Sequence, residues 1–280
     1  MDQRSPSPWT KLVQFQHPEK LLGFVRHWDE PLIAALYGMD EAALRETRLA
    51  LENQAREAAE RLLANPVFAA GIDRLPFKPG ETIVGIGEST TADRVSWLEM
   101  LRQALAIRRP RDGIRIVNEG VSGQTTTQIL GRLPSICAWR PDWIFFLAGA
   151  NDVARMGRDS AISLVSMEET ARNLAAIRQI AGAQTDARWA WITPPLFDEA
   201  RVSANPHFKL GQLDWRNADI RVVGDLIRRW PETVIDVQPA FEGAAAGELL
   251  GPDGIHPSTE GQQAILKRLV ERLAEEEGQP

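Results

Sequence analysis

The chain has 280 residues, 44% of them hydrophobic and 25% charged, with a formal net charge of -6. That is the composition of a globular protein of one large or two ordinary domains, and its acidic balance argues against nucleic acid as a partner. The longest apolar run, residues 143–150, is far short of the roughly 18–20 that a membrane helix needs, and the single Cys137 excludes an intrachain disulfide and a thiolate-rich zinc site.

From Asp2 to about Gly80 the signals are helical, with no convincing strand. Asp40 reads as the N-cap of one long helix that puts Leu44, Leu51, Ala55, Ala58 and Leu62 on one face. That helix stops near Asn65-Pro66, as expected before a proline. From Glu81 the pattern alternates. Strands are expected at 82–86, 114–117, 143–148, 189–193 and 234–237. Helices are expected at about 91–107, 125–138, 161–181, 212–230 and 258–274. The third strand lacks alternation and reads as buried on both faces. The connection 194–211 reads as a long loop, and 243–247 as a small-residue loop. Five strands alternating with five helices predict a parallel sheet with helices on both faces. Two parts follow, a helical extension over 1–80 and an α/β domain over 81–280. In such sheets the site lies beyond the carboxyl ends of the strands.

Reactive residues cluster at those ends. Gly87-Glu88-Ser89-Thr90 follows the first strand, and Val121-Ser122-Gly123-Gln124-Thr125 comes soon after the second. Gly149-Ala150-Asn151-Asp152 follows the third, and Asp253-Gly254-Ile255-His256-Pro257 precedes the last helix. Each piece alone is weak, but their order and placement suit acyl transfer. A serine hydroxyl needs a neighbouring base to become a nucleophile. Ser89 is placed at a strand-to-helix turn, His256 is the natural base, and Asp253 lies three residues before it, where a carboxylate can fix the imidazole tautomer. Donors for an oxyanion are the Ser89 N–H, the Gly123 N–H and the Asn151 amide. The bland alternatives are an N-cap for Ser89, an ordinary turn at Asp253-Gly254 and a structural role for Asp152. Ser122 is a rival nucleophile better explained by turn chemistry.

The four blocks resemble those of the SGNH (GDSL-type) hydrolase family of esterases, lipases and thioesterases, over Glu81 to about Ala274. The resemblance implies a flavodoxin-like three-layer α/β/α sandwich of strand order 2-1-3-4-5. It implies Ser89 as nucleophile, Gly123 and Asn151 in the oxyanion hole, Asp253 and His256 completing a triad, and no metal or organic cofactor. Glu88 departs from the family's aspartate, one methylene longer. The implied activity is hydrolysis of acyl esters, with short-chain carboxylesters expected. Acetylated carbohydrate, thioester or lysophospholipid are alternatives on the same triad.

Two other classes compete. Gly85-Ile86-Gly87 is half of a dinucleotide fingerprint, with Glu119 as a candidate ribose-binding acid, although Thr90 stands where the third glycine belongs. A catalytically silent binding module on the same fold is the other. Of the remaining histidines, His17 and His27 read as structural or solvated, and His207 as a pocket-wall residue. Trp97, Trp139, Trp143, Trp189, Trp191 and Trp230 read as core, and the arginines at 108–111 and 228–229 as solvated helix ends. Trp9, Phe15, Leu21, Phe24, Trp28, Leu32 and Tyr37 predict that the N-terminal helices dock, walling the active-site mouth or forming a homo-oligomer interface. The start of the chain lacks an apolar signal core, so a cytoplasmic location is expected.

Overall fold

A computed structural model describes residues 8–157, 162–243 and 247–276. The N-terminal helices are α1 (Pro8–Phe15), α2 (Pro18–Leu21), α3 (Glu30–Tyr37), α4 (Glu41–Leu63) and α5 (Pro66–Asp73). Then follow β1 (Thr82–Gly87), α6 (Ser89–Ala92), α7 (Trp97–Arg108), β2 (Arg115–Gly120), α8 (Thr126–Cys137) and β3 (Trp143–Leu147). Next come β4 (Arg155–Met156), α9 (Met167–Gln184), β5 (Arg188–Ile192), α10 (Glu199–Ala204), α11 (Pro206–Gly211) and β6 (Leu213–Asp214). The chain continues through α12 (Asn217–Arg228), β7 (Thr233–Ile235), a 3₁₀ turn (Gln238–Phe241) and α13 (Thr259–Glu276).

Local chemistry sets the helix starts. Asp29, Asp40 and Asn65 each turn a side-chain oxygen onto the first backbone N–H groups of α3, α4 and α5. The face of α4 expected to be apolar is the buried one. Five strands form one parallel sheet of order β2-β1-β3-β5-β7. That is 2-1-3-4-5 once β4 and β6 are set aside, because these two pair with each other in a separate antiparallel ribbon. Every residue of β3 is buried, as its unbroken apolar run required. Helices α7 and α13 cover one face with α4 and α5 packed on them, while α8, α9 and α12 cover the other. Leu44, Leu51 and Ile72 of the N-terminal helices share one core with Leu98, Leu101 and Leu266. Among the described residues no helix is long and apolar enough to cross a membrane.

Several expectations need correction. The helix expected over 91–107 is two helices. Here α6 ends at Ala92, and Ser96 starts α7 by accepting the Glu99 N–H. The third α/β helix starts at Met167, capped by Ser166, and its expected start at Ala161 lies outside the described residues. Residues 194–211 hold α10 and α11 rather than a bare loop. Residues 244–246 of the small-residue stretch lie outside the described residues. Trp139 is 39% exposed rather than core, with the Arg115 guanidinium over its ring. Arg109 is not a solvated helix end; its guanidinium donates to the carbonyls of Leu75 and Phe77 and fixes the junction before β1. The N-terminal helices do dock, but Phe24, Trp9, Leu21 and Leu32 stay exposed, and the buried anchors are Val13, Ile33, Ala34 and Tyr37.

Candidate active site

The carboxyl end of β1 delivers Ser89 as the first residue of α6, half-buried at the edge of the sheet. Gly87 has no room for a side chain: a Cβ there would lie 2.3 Å from Thr91 Oγ1 and 2.6 Å from the Leu147 carbonyl. The second block is a tight turn closed by the Gln124 N–H on the Val121 carbonyl at 3.3 Å. Gly123 stands third in it with φ +79°, as a type II turn requires. Gly120 owes its place to close approach, since a Cβ would come 2.4 Å from the Ala92 nitrogen. The Ser122 hydroxyl is committed elsewhere, donating to the Phe15 carbonyl at 2.7 Å.

Glu88 binds the third block to the first. Its buried carboxylate accepts the backbone N–H of Gly149 at 2.5 Å and that of Asn151 at 3.3 Å. Burial, with the nearby Asp152 charge adding to it, pushes the Glu88 carboxyl up to about 8, against the pull of those N–H donors. The Asn151 amide donates one hydrogen to the Gln124 carbonyl at 3.1 Å and has a second to give. Asp152 is structural: fully buried, it accepts from the Thr126 N–H and hydroxyl and from the Thr170 hydroxyl, joining α8 to α9.

The fourth block folds back on itself. Asp253 Oδ1 accepts the backbone N–H groups of Ile255 and His256, both at 3.0 Å, and Oδ2 lies 2.8 Å from His256 Nδ1. Burial alone would raise the Asp253 carboxyl, but the bond to His256 and its charge hold it down at about 2. The imidazole is thereby turned so that Nε2 is its free corner.

Ser89, Gly123, Asn151 and His256 line a single cavity of about 420 Å³. The structure thus gathers all five predicted site residues, four on the cavity and Asp253 behind the histidine. It does not bring His207, which is exposed on α11; the next residue, Phe208, lines the cavity instead. Trp215 joins it, edge-on to Phe208 at 5.2 Å and donating Nε1–H to the Ala150 carbonyl. Lys11, Leu12, Phe15 and Gln16 of the N-terminal region also line it; Phe15 was among the residues expected to dock and wall the mouth, whereas Lys11, Leu12 and Gln16 were not. Glu119, the candidate ribose acid, is taken up by Arg132 and the Trp139 indole N–H. Among the described residues no three His, Cys, Asp or Glu side chains converge to hold a metal ion.

Known proteins share the fold. An acetylxylan esterase from Geobacillus stearothermophilus is 24% identical over 173 residues, 59% of this chain and 74% of that enzyme. Its solved structure has a TM-score of 0.53 at 22% identity, covering 70% of this chain and 95% of that one. An α/β hydrolase from the metagenome of Lake Arreo, Spain, has a TM-score of 0.55 at 24% identity, covering 70% and 96%. The GDSL-like lipase/acylhydrolase family profile matches residues 85–264, beginning after the N-terminal helices. With the profile spanning well over half its length, the chain belongs to the GDSL-like lipase/acylhydrolase family and is a carboxylic ester hydrolase.

Proposed function

We propose that this protein removes short acyl groups from esters through an acyl-enzyme formed on Ser89. The observation that carries the reading is the 2.8 Å contact of Asp253 Oδ2 with His256 Nδ1, on a histidine that shares its cavity with Ser89, Gly123 and Asn151. As Ser89 Oγ bonds to the ester carbonyl carbon, His256 Nε2 takes its proton, and Asp253 stabilises the imidazolium that forms. The carbonyl oxygen becomes an oxyanion. It is received by the Ser89 N–H, the Gly123 N–H and the Asn151 amide hydrogen not given to Gln124. The carbon–oxygen bond to the alcohol breaks, and His256 passes its proton to the leaving alcohol. A water then repeats the sequence, its proton going to His256 and on to Ser89, and the carboxylic acid departs.

Support for the assignment also comes from the Geobacillus stearothermophilus acetylxylan esterase, whose variants lacking a serine, an aspartate or a histidine are described as catalytic mutants. In that enzyme the aspartate and histidine are three positions apart, the spacing of Asp253 and His256 here. The same relative favours an acetyl group on a carbohydrate over a long acyl chain. A serine-reactive organophosphonate is expected to label Ser89, and Ser89→Ala to lose at least about 10³-fold in kcat on p-nitrophenyl acetate. Turnover that survives in Ser89→Ala overturns the reading. Rates on an acyl-length series, measured beside a panel of acetylated sugars, separate the two substrate classes.

A further inference from the structure

Helix α1 lies outside the family's matched region, yet it reaches the reacting groups. The Phe15 ring sits with its centroid 4.9 Å from that of His256, tilted by 46°. The hydrogen bond that His256 Nδ1–H donates to Asp253 fixes one edge of the imidazole but leaves the ring free to swing about that bond. An apolar ring packed beside it, 4.9 Å between centroids, limits the swing.

Phe15 is itself held in register. Its carbonyl accepts the Ser122 hydroxyl at 2.7 Å, from the turn that carries Gly123. The carbonyl of Gln14 accepts the Arg94 backbone N–H at 3.1 Å, and its side chain donates to Asp93 at 2.8 Å. Arg94 Nε donates to the Val13 carbonyl at 2.9 Å, and the Tyr37 hydroxyl to the Gln16 carbonyl at 2.6 Å. The buried His17 ring holds the Ala92 carbonyl at 2.6 Å. Apart from Tyr37, these partners lie in the segment just after Ser89 or in the oxyanion turn. The end of α1 is therefore registered against both.

We propose that α1 is part of the active site, with Phe15 a positioning residue for His256 and the wall that limits how bulky an ester the cavity admits. This rests on the reading of Ser89 and His256 as nucleophile and base. Misplacing a base by a fraction of an ångström slows the chemical step more than it weakens binding, so the effect falls on kcat.

The test is a set of full-length variants, Phe15→Ala, Phe15→Leu and Phe15→Tyr, assayed on p-nitrophenyl acetate and p-nitrophenyl hexanoate. In Phe15→Ala, kcat on the acetate is expected to fall about tenfold, with KM changed by less than about threefold. The hexanoate-to-acetate ratio of kcat/KM is expected to rise as the wall is removed. Phe15→Tyr, which keeps the ring, is expected to restore both. Should Phe15→Ala fail to fold, Phe15→Leu carries the positioning half of the test, because it loses the aromatic ring while keeping apolar bulk, and a parent-like kcat in it overturns the proposal. An unchanged kcat with an unchanged ratio overturns the proposal, and so does a loss that Phe15→Tyr does not rescue. Ser89→Ala in the same assay separates the two levels. If it is active, the underlying reading fails; if it is inactive while the Phe15 variants match the parent, this inference alone fails.

Discussion

Glu88 shows how much a single side chain can organise. It occupies the position where the resembled family has aspartate, and the extra methylene carries its carboxylate to the N–H groups of Gly149 and Asn151. The departure from aspartate was legible in the sequence. The partners were not, because a main-chain donor more than 60 positions away leaves no mark on residue type. The buried carboxyl rises from its ordinary 4.5 to about 8. The sign follows from linkage: the folded state holds the proton more tightly than the unfolded state does, so this contribution to stability is complete below pH 4.5 and is lost as pH climbs to about 8. Glu88→Gln keeps the length and an acceptor oxygen but cannot ionise. Urea unfolding at pH 5, 6, 7 and 8 is expected to show the variant gaining on the parent steadily across that range. A constant difference between the two would contradict the assignment. Glu88→Ala is expected to be less stable than Glu88→Gln at every pH, losing about 1–3 kcal/mol for each backbone N–H left buried without a partner.

At the scale of elements, the five strands of the main sheet and the helices between them were readable, because β-branched runs and helical faces have different periods, while the short pieces β4, β6, α10 and α11 were not. What also escaped were helix starts and breaks. The gap between α6 and α7, Asp93-Arg94-Val95-Ser96, holds no proline or glycine to mark a break. Yet Ser96 and Glu99 stand three apart, as do Ser166 and Glu169, and each serine caps its helix by accepting the glutamate N–H. That spacing is the sequence signature of a helix N-terminus, and it marks both starts the periodicity misplaced. The Asp253–His256 turn was legible for a different reason, since its carboxylate and backbone donors are sequence neighbours. Its geometry depends on Gly254, with φ +78° and no room for a Cβ, which would lie 2.7 Å from both Arg201 Cβ and the Asp198 carbonyl. Gly254→Ala is expected to cost about 1–3 kcal/mol in denaturant unfolding from the backbone conformation alone. It should also lower kcat with little change in KM, because the displaced groups are Asp253 and His256 rather than the cavity walls. Parent-like kcat in a folded Gly254→Ala protein would separate this turn from the chemistry.

For the whole molecule, the apolar content of residues 9–37 signalled docking, but it misjudged the means. Phe24, 80% exposed, contributes no anchor, whereas main-chain carbonyls of residues 13–16 are gripped by Arg94, Ser122 and Tyr37. Further along, the Gln263 amide donates to the Ala58 carbonyl, 205 positions away, and Arg109 holds the carbonyls of Leu75 and Phe77. Gly71 is pressed so closely on α13 that a Cβ would meet Val270 at 2.6 Å. Such pairings join groups that almost every residue carries, so no pattern in the chain announces them. Their consequence is mechanical. Helices that share a core and a hydrogen-bond set with the sheet cannot leave it without exposing both, so residues 8–73 and the α/β part should unfold together. Urea transitions followed by tryptophan fluorescence and by far-ultraviolet circular dichroism are expected to coincide. Limited trypsin digestion of the folded protein is expected to yield no stable fragment beginning near residue 81. Two separated transitions, or a long-lived C-terminal fragment that still hydrolyses p-nitrophenyl acetate at the parent rate, would mean that the extension is an independent body and that the esterase site is complete without it.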